Sequence, residues 1–191
     1  SGLLSAKMYG PPVMPPQPDG IWRTVYSDAK WVTAEGEDRY RRAIYTYLRR
    51  SSPYPSLVTF DAPSREVCSI RRIRSNTPLQ ALVTLNDPAY IEAAQALARR
   101  MAKESGGSLE QRLSYGMQLT LARNARPDEI KALAALYAKR LATYQANKPA
   151  AAAMATKPLG PVPDGYDVAE LAALTAVANV LLNLDEFLTK G

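Results

Sequence analysis

"SNTPLQALVTLNDPAYIEAAQALARRMAKESGGS", residues 75–108, carries the punctuation of two successive helices. Asn76 or Thr77 can serve as N-cap with Pro78 at the first helical position, so "PLQALVTL" predicts a helix running to Asn86. Asp87-Pro88 repeats the device and opens a second helix over 88–104, which Gly106-Gly107 ends. Working downstream, Ser108 caps "LEQRLSYGMQLTLAR", and Arg126-Pro127-Asp128-Glu129 opens "EIKALAALYAKRLATYQAN". In that segment Ile130, Leu133, Leu136, Tyr137 and Leu141 recur at helical spacing and predict a core stripe. Residues 148–165, "KPAAAAMATKPLGPVPDG", mix Ala, Pro and Gly and read as a loop. A last helix is expected over roughly 167–188.

Upstream the character changes. Residues 1–20 hold five prolines between positions 11 and 18, which forbid regular helix or central strand and predict an extended arm ending in a turn at Asp19-Gly20. "IWRTVY", 21–26, alternates β-formers and predicts a short strand. "RYRRAIYTYLRR", 39–50, fits either a helical stripe through Tyr40, Ile44, Tyr47 and Leu48 or an alternating strand, and the strand is preferred. "SSPYPSLVTFDAPSRE", 51–66, reads as extended chain with turns, its Leu57, Val58 and Phe60 inward. The expected fold is mainly α: a bundle of about four or five helices, a small β element and a proline-rich extended N-terminal arm. One compact domain is expected, in which an arginine-dense 1–75 segment packs on a 76–191 bundle.

Composition bounds the chemistry. With 191 residues and 47% hydrophobic content the chain has enough material for one core and is too apolar to be disordered. The most apolar run, "VAELAALTAVANVLLNL", is broken by Glu170, Asn179 and Asn183 and is too short for a membrane span. The opening residues from Ser1 do not read as a basic, apolar secretory leader, and the chain is expected to be a piece of a longer polypeptide. The absence of histidine excludes imidazole-based triads, the commonest zinc and non-haem iron ligand sets, and covalent haem attachment within this chain. No metal site is predicted, although carboxylates leave calcium open. Cys68 is the only cysteine and is expected to be buried and inert.

The net charge of +6 is concentrated in one place. Residues 39–74 hold nine arginines and no lysine against only Asp61 and Glu66. Planar guanidinium groups suit bidentate pairing with carboxylate, phosphate or sulfate. Two readings of the dense block follow. In the structural reading Asp61 and Glu66 pair with Arg65, Arg71, Arg72 or Arg74, while Asn76, Gln80 and Asn86 bond turn backbones and Asp87 caps the next helix. In the binding reading Arg65, Arg71, Arg72, Arg74, Asn76, Gln80 and Asn86 face a cleft and hold an anionic or hydroxyl-rich ligand. No catalytic residue is assigned: Asp61 and Glu66 beside arginines are driven towards ionisation, the wrong direction for a general acid. Nucleic acid is a poorer candidate partner, although a basic region with tyrosines suits single strands.

"SGLLSAKMYGPPVMPPQPDGIW", "GEDRYRRAIYTYLRRSSPYPSLVTFDAPSREVCSIRRIRSNTPLQALVTLNDPAYIEAA" and "ANVLLNLDEFLTK" resemble, over essentially the whole chain, a planctomycete-specific C-terminal domain of unknown function. That family occurs in large exported proteins with cytochrome c-like modules. The resemblance implies an extracytoplasmic location, other domains of the same polypeptide as partners, and haem only in those other modules. It supplies no activity to carry over. In such a setting acidic or sulfated polysaccharide is the ligand class for the binding reading; a structural or interaction role without catalysis is the expected function, with an anionic-polysaccharide-binding module, or part of an extracytoplasmic enzyme acting on such polymers, as the alternative.

Overall fold

The computed structural model of the chain describes residues 1–21, 30–49, 51–63, 67–68, 70 and 75–189. The protein is mainly helical. Its chain divides into two compact units, Leu3–Ala89 and Tyr90–Gly191 with Ser1–Gly2. The division falls in the first turn of a helix, so the 78–86 helix belongs with the first unit.

In the first unit α1 is Pro55–Thr59 and α2 is Pro78–Asn86, and the two pack together. α2 has the bounds its punctuation predicts. Thr77 supplies the cap: its hydroxyl accepts from the Gln80 N–H at 3.3 Å, while the Gln80 side-chain Oε1 accepts from the Thr77 N–H at 2.9 Å. α1 replaces the extended chain expected at 51–66, and Val58 on it is exposed rather than inward, with Leu57 and Phe60 half-buried.

The small β element is not supported. Among the described residues there is no strand, only an isolated parallel bridge between Val13 and Thr46. Of the 39–50 segment, preferred as a strand, the described residues 39–49 instead hold the end of the 3-10 turn Gly36–Tyr40 and the whole of the 3-10 turn Ala43–Tyr45. The cause is the neighbour available to them. A ladder needs donors on both chains, and Pro11, Pro12, Pro15 and Pro16 of the arm have none. Val13 stands between those pairs, donates to the Tyr45 carbonyl at 2.7 Å and accepts from the Tyr47 N–H at 2.8 Å. Among the described residues the bridge extends no further. Most of the expected 21–26 strand lies outside the described residues.

The second unit continues α3, Pro88–Glu104, and adds α4, Leu109–Leu121, α5, Pro127–Ala146, α6, Lys148–Thr156, α7, Val168–Leu181, and α8, Asp185–Leu188. Ser108 and Gln111 form a second reciprocal cap at the start of α4. Leu97, Met101, Leu113, Met117, Leu171, Leu174 and Leu181 are fully buried, and Leu133 and Tyr137 of the predicted α5 stripe join them with Ile130, Leu136 and Leu141 packed alongside. The last helix breaks after Leu181 instead of running to 188.

The loop expected at 148–165 is a correction. Its first nine residues are α6, whose Asn147 side chain accepts from the Ala150 N–H at 3.1 Å with Pro149 in the first turn. Four consecutive alanines propagate it. Its far end is closed from α3: Gln95 Nε2 donates to the carbonyls of Met154 and Lys157 at 2.7 Å each, Gln95 Oε1 accepts from the Leu159 N–H at 3.1 Å, and Arg99 Nη2 donates to the Gly160 carbonyl at 2.6 Å. Orphan helix-end carbonyls thereby find partners. Among the described residues no helix is long and apolar enough to cross a membrane.

Candidate functional site: the polar junction at Gln80

The block in which binding residues were sought is described only in part. Arg65, Glu66, Arg71, Arg72 and Arg74 lie outside the described residues. The others can be placed.

Gln80 is 2% exposed and is the hub. Besides its role in the cap, its Nε2 donates to the Thr59 carbonyl at 2.9 Å and to the Ser75 hydroxyl at 2.8 Å, and lies 3.4 Å from the Asp61 carboxylate. The Ser75 hydroxyl also donates to Asp61. Asp61, exposed and at φ 56°, ends the turn after α1 and is thereby tied to the start of α2. One turn along, Thr84 is 1% exposed and its hydroxyl bonds the carbonyls of Gln80 and Ala81. The inward side of α2 is therefore polar and hydrogen-bonded within the unit.

The remaining candidates are helix-end devices. Asn86 is exposed, and its Nδ2 donates to the Leu82 carbonyl at 2.8 Å. Asp87 is buried and its carboxylate accepts from the Ala89 N–H at 2.9 Å, the cap expected of it. Burial pushes the Asp87 carboxyl above the usual aspartate range, against the opposing pull of that backbone bond. Asn76 is exposed beside Thr77. Gln80, Asp61 and Ser75 come together; Asn86 and Asp87 serve the other end of α2. Cys68 is exposed, not the buried thiol expected.

Sequence reading missed a second polar centre in the same unit. Arg41, 7% exposed, stacks on the Tyr45 ring at 3.7 Å and donates through Nη2 to the carbonyls of Tyr9 at 2.5 Å and Lys7 at 3.3 Å. The Tyr45 hydroxyl accepts from the Tyr9 N–H at 2.8 Å. Both centres satisfy main-chain groups. The signal for Arg41 was present as the proline arm, whose carbonyls have few main-chain donors within reach.

An open groove of 690 Å³ in the second unit is lined by Tyr144, Gln145, Lys148, Asp167 and Glu170 among others. None of the candidate binding residues lines it, and two carboxylates against one ammonium make it unsuited to anions. Among the described residues no three His, Cys, Asp or Glu side chains converge as a metal ligand set.

No curated protein and no solved structure matches the chain. A family model does, over residues 1–137, ending inside α5 rather than spanning the whole chain. That stretch takes in the arm, both polar centres and the helices to the middle of α5, and on it the chain belongs to the PSD1 family, proteins of unknown function also designated DUF1553.

Proposed function

We propose that the chain is a non-catalytic structural or interaction domain of a multi-domain exported bacterial protein. In this reading it is the C-terminal part of a planctomycete polypeptide whose cytochrome c-like modules hold the haem, it binds no cofactor itself, it is extracytoplasmic, and its partners are the other domains of that polypeptide. One observation carries the non-catalytic role: Gln80, the best-placed polar residue of the candidate block, spends its amide on Thr59, Ser75 and Thr77 instead of presenting it to a cleft. A buried amide so engaged has no donor left for a ligand.

The test pairs stability with binding. Gln80→Ala should lower the melting temperature, and the wild-type chain should leave an array of sulfated and uronic-acid glycans unlabelled at physiological salt. Salt-dependent glycan binding that Arg72→Ala removes at unchanged melting temperature would overturn the reading in favour of an anionic-polysaccharide module. The setting is tested separately, by fractionating cells that express the parent polypeptide and asking whether it reaches the periplasm or cell surface with a Soret band that this chain alone lacks.

A further inference from the structure

The proline-rich arm is held by more than contact. Three consecutive carbonyls are each read by a different donor: the Ala34 N–H donates to Met14 O at 2.8 Å, Trp31 Nε1–H to Pro15 O at 3.0 Å, and the Tyr54 hydroxyl to Pro16 O at 2.7 Å. The Trp31 and Tyr54 rings stack with centroids 5.8 Å apart and an interplanar angle of 10°. Pro16 is buried, as is Tyr54 at 8% exposure.

This is the chemistry by which aromatic grooves read polyproline. A proline pair has no N–H, so its carbonyls are the only main-chain groups that can be recognised, and an indole N–H and a phenol O–H on an apolar wall supply donors that also present flat faces to the rings. The bound segment is bounded by Gly10 at φ 100° and by Gly20 at φ 77°, the second in the turn Asp19-Gly20. Inside it Val13 and Pro16 are the buried side chains, while Met8 and Tyr9 just ahead are exposed. The arm is therefore seated chiefly through hydrogen bonds to its backbone, a mode indifferent to which chain supplies the prolines.

We propose that Trp31 and Tyr54 form a polyproline-recognition site, occupied in cis by the chain's own Pro11–Pro18 arm and open in trans to a proline-rich segment of a partner polypeptide when the arm leaves. The proposal goes beyond the structural role of the Gln80 junction and does not depend on it. The cis arm competes at an effective concentration on the order of millimolar, so the resting site is closed to weak trans ligands.

The probe is a synthetic peptide of residues 9–20, YGPPVMPPQPDG, and a control with its prolines replaced by alanine. In the wild-type full chain, millimolar peptide should accelerate hydrogen exchange at the Val13 amide, which loses Tyr45 when the arm is displaced. The Ala34 amide should stay protected, because the peptide's carbonyl takes the place of Met14. The control should do neither. A full-chain variant with Pro15→Gly and Pro16→Gly should bind fluorescent peptide at least roughly tenfold more tightly than wild type, and adding Trp31→Ala should abolish that gain. Binding that survives Trp31→Ala, or no gain in a variant with the wild-type circular dichroism spectrum, overturns the proposal. If the glycine variant does not fold, the exchange measurement decides, and an unchanged Val13 rate at millimolar peptide overturns it equally.

Discussion

Inside the second unit most buried side chains are apolar, among them Leu97, Met101, Leu113, Met117, Leu174, Val177 and many alanines, with Glu92, Gln95, Thr120, Thr175 and Asn179 as the buried polar ones; inside the first the polar Ser5, Arg41, Thr46, Gln80, Thr84 and Asp87 predominate beside Val13, Pro16 and Tyr54. The surfaces mirror the interiors. Leu4, Met8, Tyr9, Ile44, Val58, Leu79, Leu82 and Leu85 are all exposed in the first unit, whereas Val168 is the one large apolar residue so exposed among those described in the second. Apolar burial is non-directional, so the second unit depends on volume and can tolerate exchange of one methyl arrangement for another. Hydrogen-bonded hubs depend on direction, and removing one partner strands the others. The two units should therefore fail in different ways when a side chain is cut.

The largest effect is expected where volume rules. Leu97, with no exposure, sits in the middle of α3, and Leu97→Ala should cost about 2 to 5 kcal/mol, measured by denaturant unfolding followed at helix wavelengths. A loss below about 1 kcal/mol would mean that this core collapses around the gap and is not the close-packed interior its burial implies.

Gln80→Ala in the first unit removes fewer apolar contacts, yet it leaves the Thr59 carbonyl and the Thr77 N–H without the partner they now have. A cost of about 1 to 3 kcal/mol is expected. Gln80→Glu separates shape from chemistry, because it keeps the acceptor towards Thr77 but loses the donor towards Thr59 and sets a second carboxylate near Asp61. It should be no better than alanine. Rescue by Glu would show that filling the space, not the amide, is what matters there.

Gln95 breaks the contrast from the other side, since it is a polar hub at 1% exposure within the apolar unit. Gln95→Ala should cost about 1 to 3 kcal/mol, with the loss localised: the Leu159 amide should exchange faster while amides in the middle of α7 keep their protection. Uniform acceleration across the unit would show that the end of α6 is not a separable element.

These hubs mark the limit of what could be read in advance. Caps were legible: Thr77, Ser108, Asp87 and the Pro78 and Pro88 starts rest on contacts within a few residues, and the bounds of α2 and α3 follow from them. So was the α5 stripe. What escaped depends on partners far along the chain. Residues 148–156 look like linker until Gln95 and Arg99 supply their terminal bonds, more than fifty positions away. Tyr40 to Tyr47 alternate like a strand, but a strand is made by its neighbour, and the neighbour is a proline arm. The candidate site fared similarly: of the polar residues singled out, Asp61 and Gln80 come together, but residue types alone left open whether Gln80 faces a ligand or its own backbone.

Arg41 offers a smaller and more pointed test. Arg41→Lys keeps the charge but loses the planar face over Tyr45 and the Nη2 that donates to both the Lys7 and Tyr9 carbonyls. The expected loss is about 0.5 to 2 kcal/mol, with faster exchange at the Ser5 and Val13 amides that hold the arm. If the arm stays protected, its seat does not depend on the Arg41 guanidinium.

The smallest effect separates the units by pH. In the second, Arg123 grips the Glu129 carboxylate through two bonds of 2.8 and 2.9 Å, the Arg126 N–H adds a third at 2.8 Å, and the same guanidinium holds Glu186 of α8 at 2.6 Å. The Arg123 bonds, then the Arg126 N–H, lower the Glu129 carboxyl from 4.5 to about 2. A carboxyl lowered on folding contributes stability that is whole above its unfolded value of 4.5 and is lost as pH falls towards about 2. Asp87 in the first unit runs the other way: its carboxyl is raised by burial, so ionising it works against the fold, and that penalty disappears as pH falls through its titration. Acid should therefore loosen the Arg126 amide while sparing the first turn of α3. Because Arg123 and Glu129 are only half-buried and Glu186 is exposed, the loss in melting temperature should be modest and should shrink further in added salt. Glu129→Gln should flatten the fall in melting temperature between pH 4.5 and about 2, and Asp87→Asn should steepen it by removing the compensating group. An acid slope unchanged by Glu129→Gln would mean that the carboxylate acts only as a helix-end cap, which the amide reproduces, and that its ion pairs with Arg123 contribute nothing measurable.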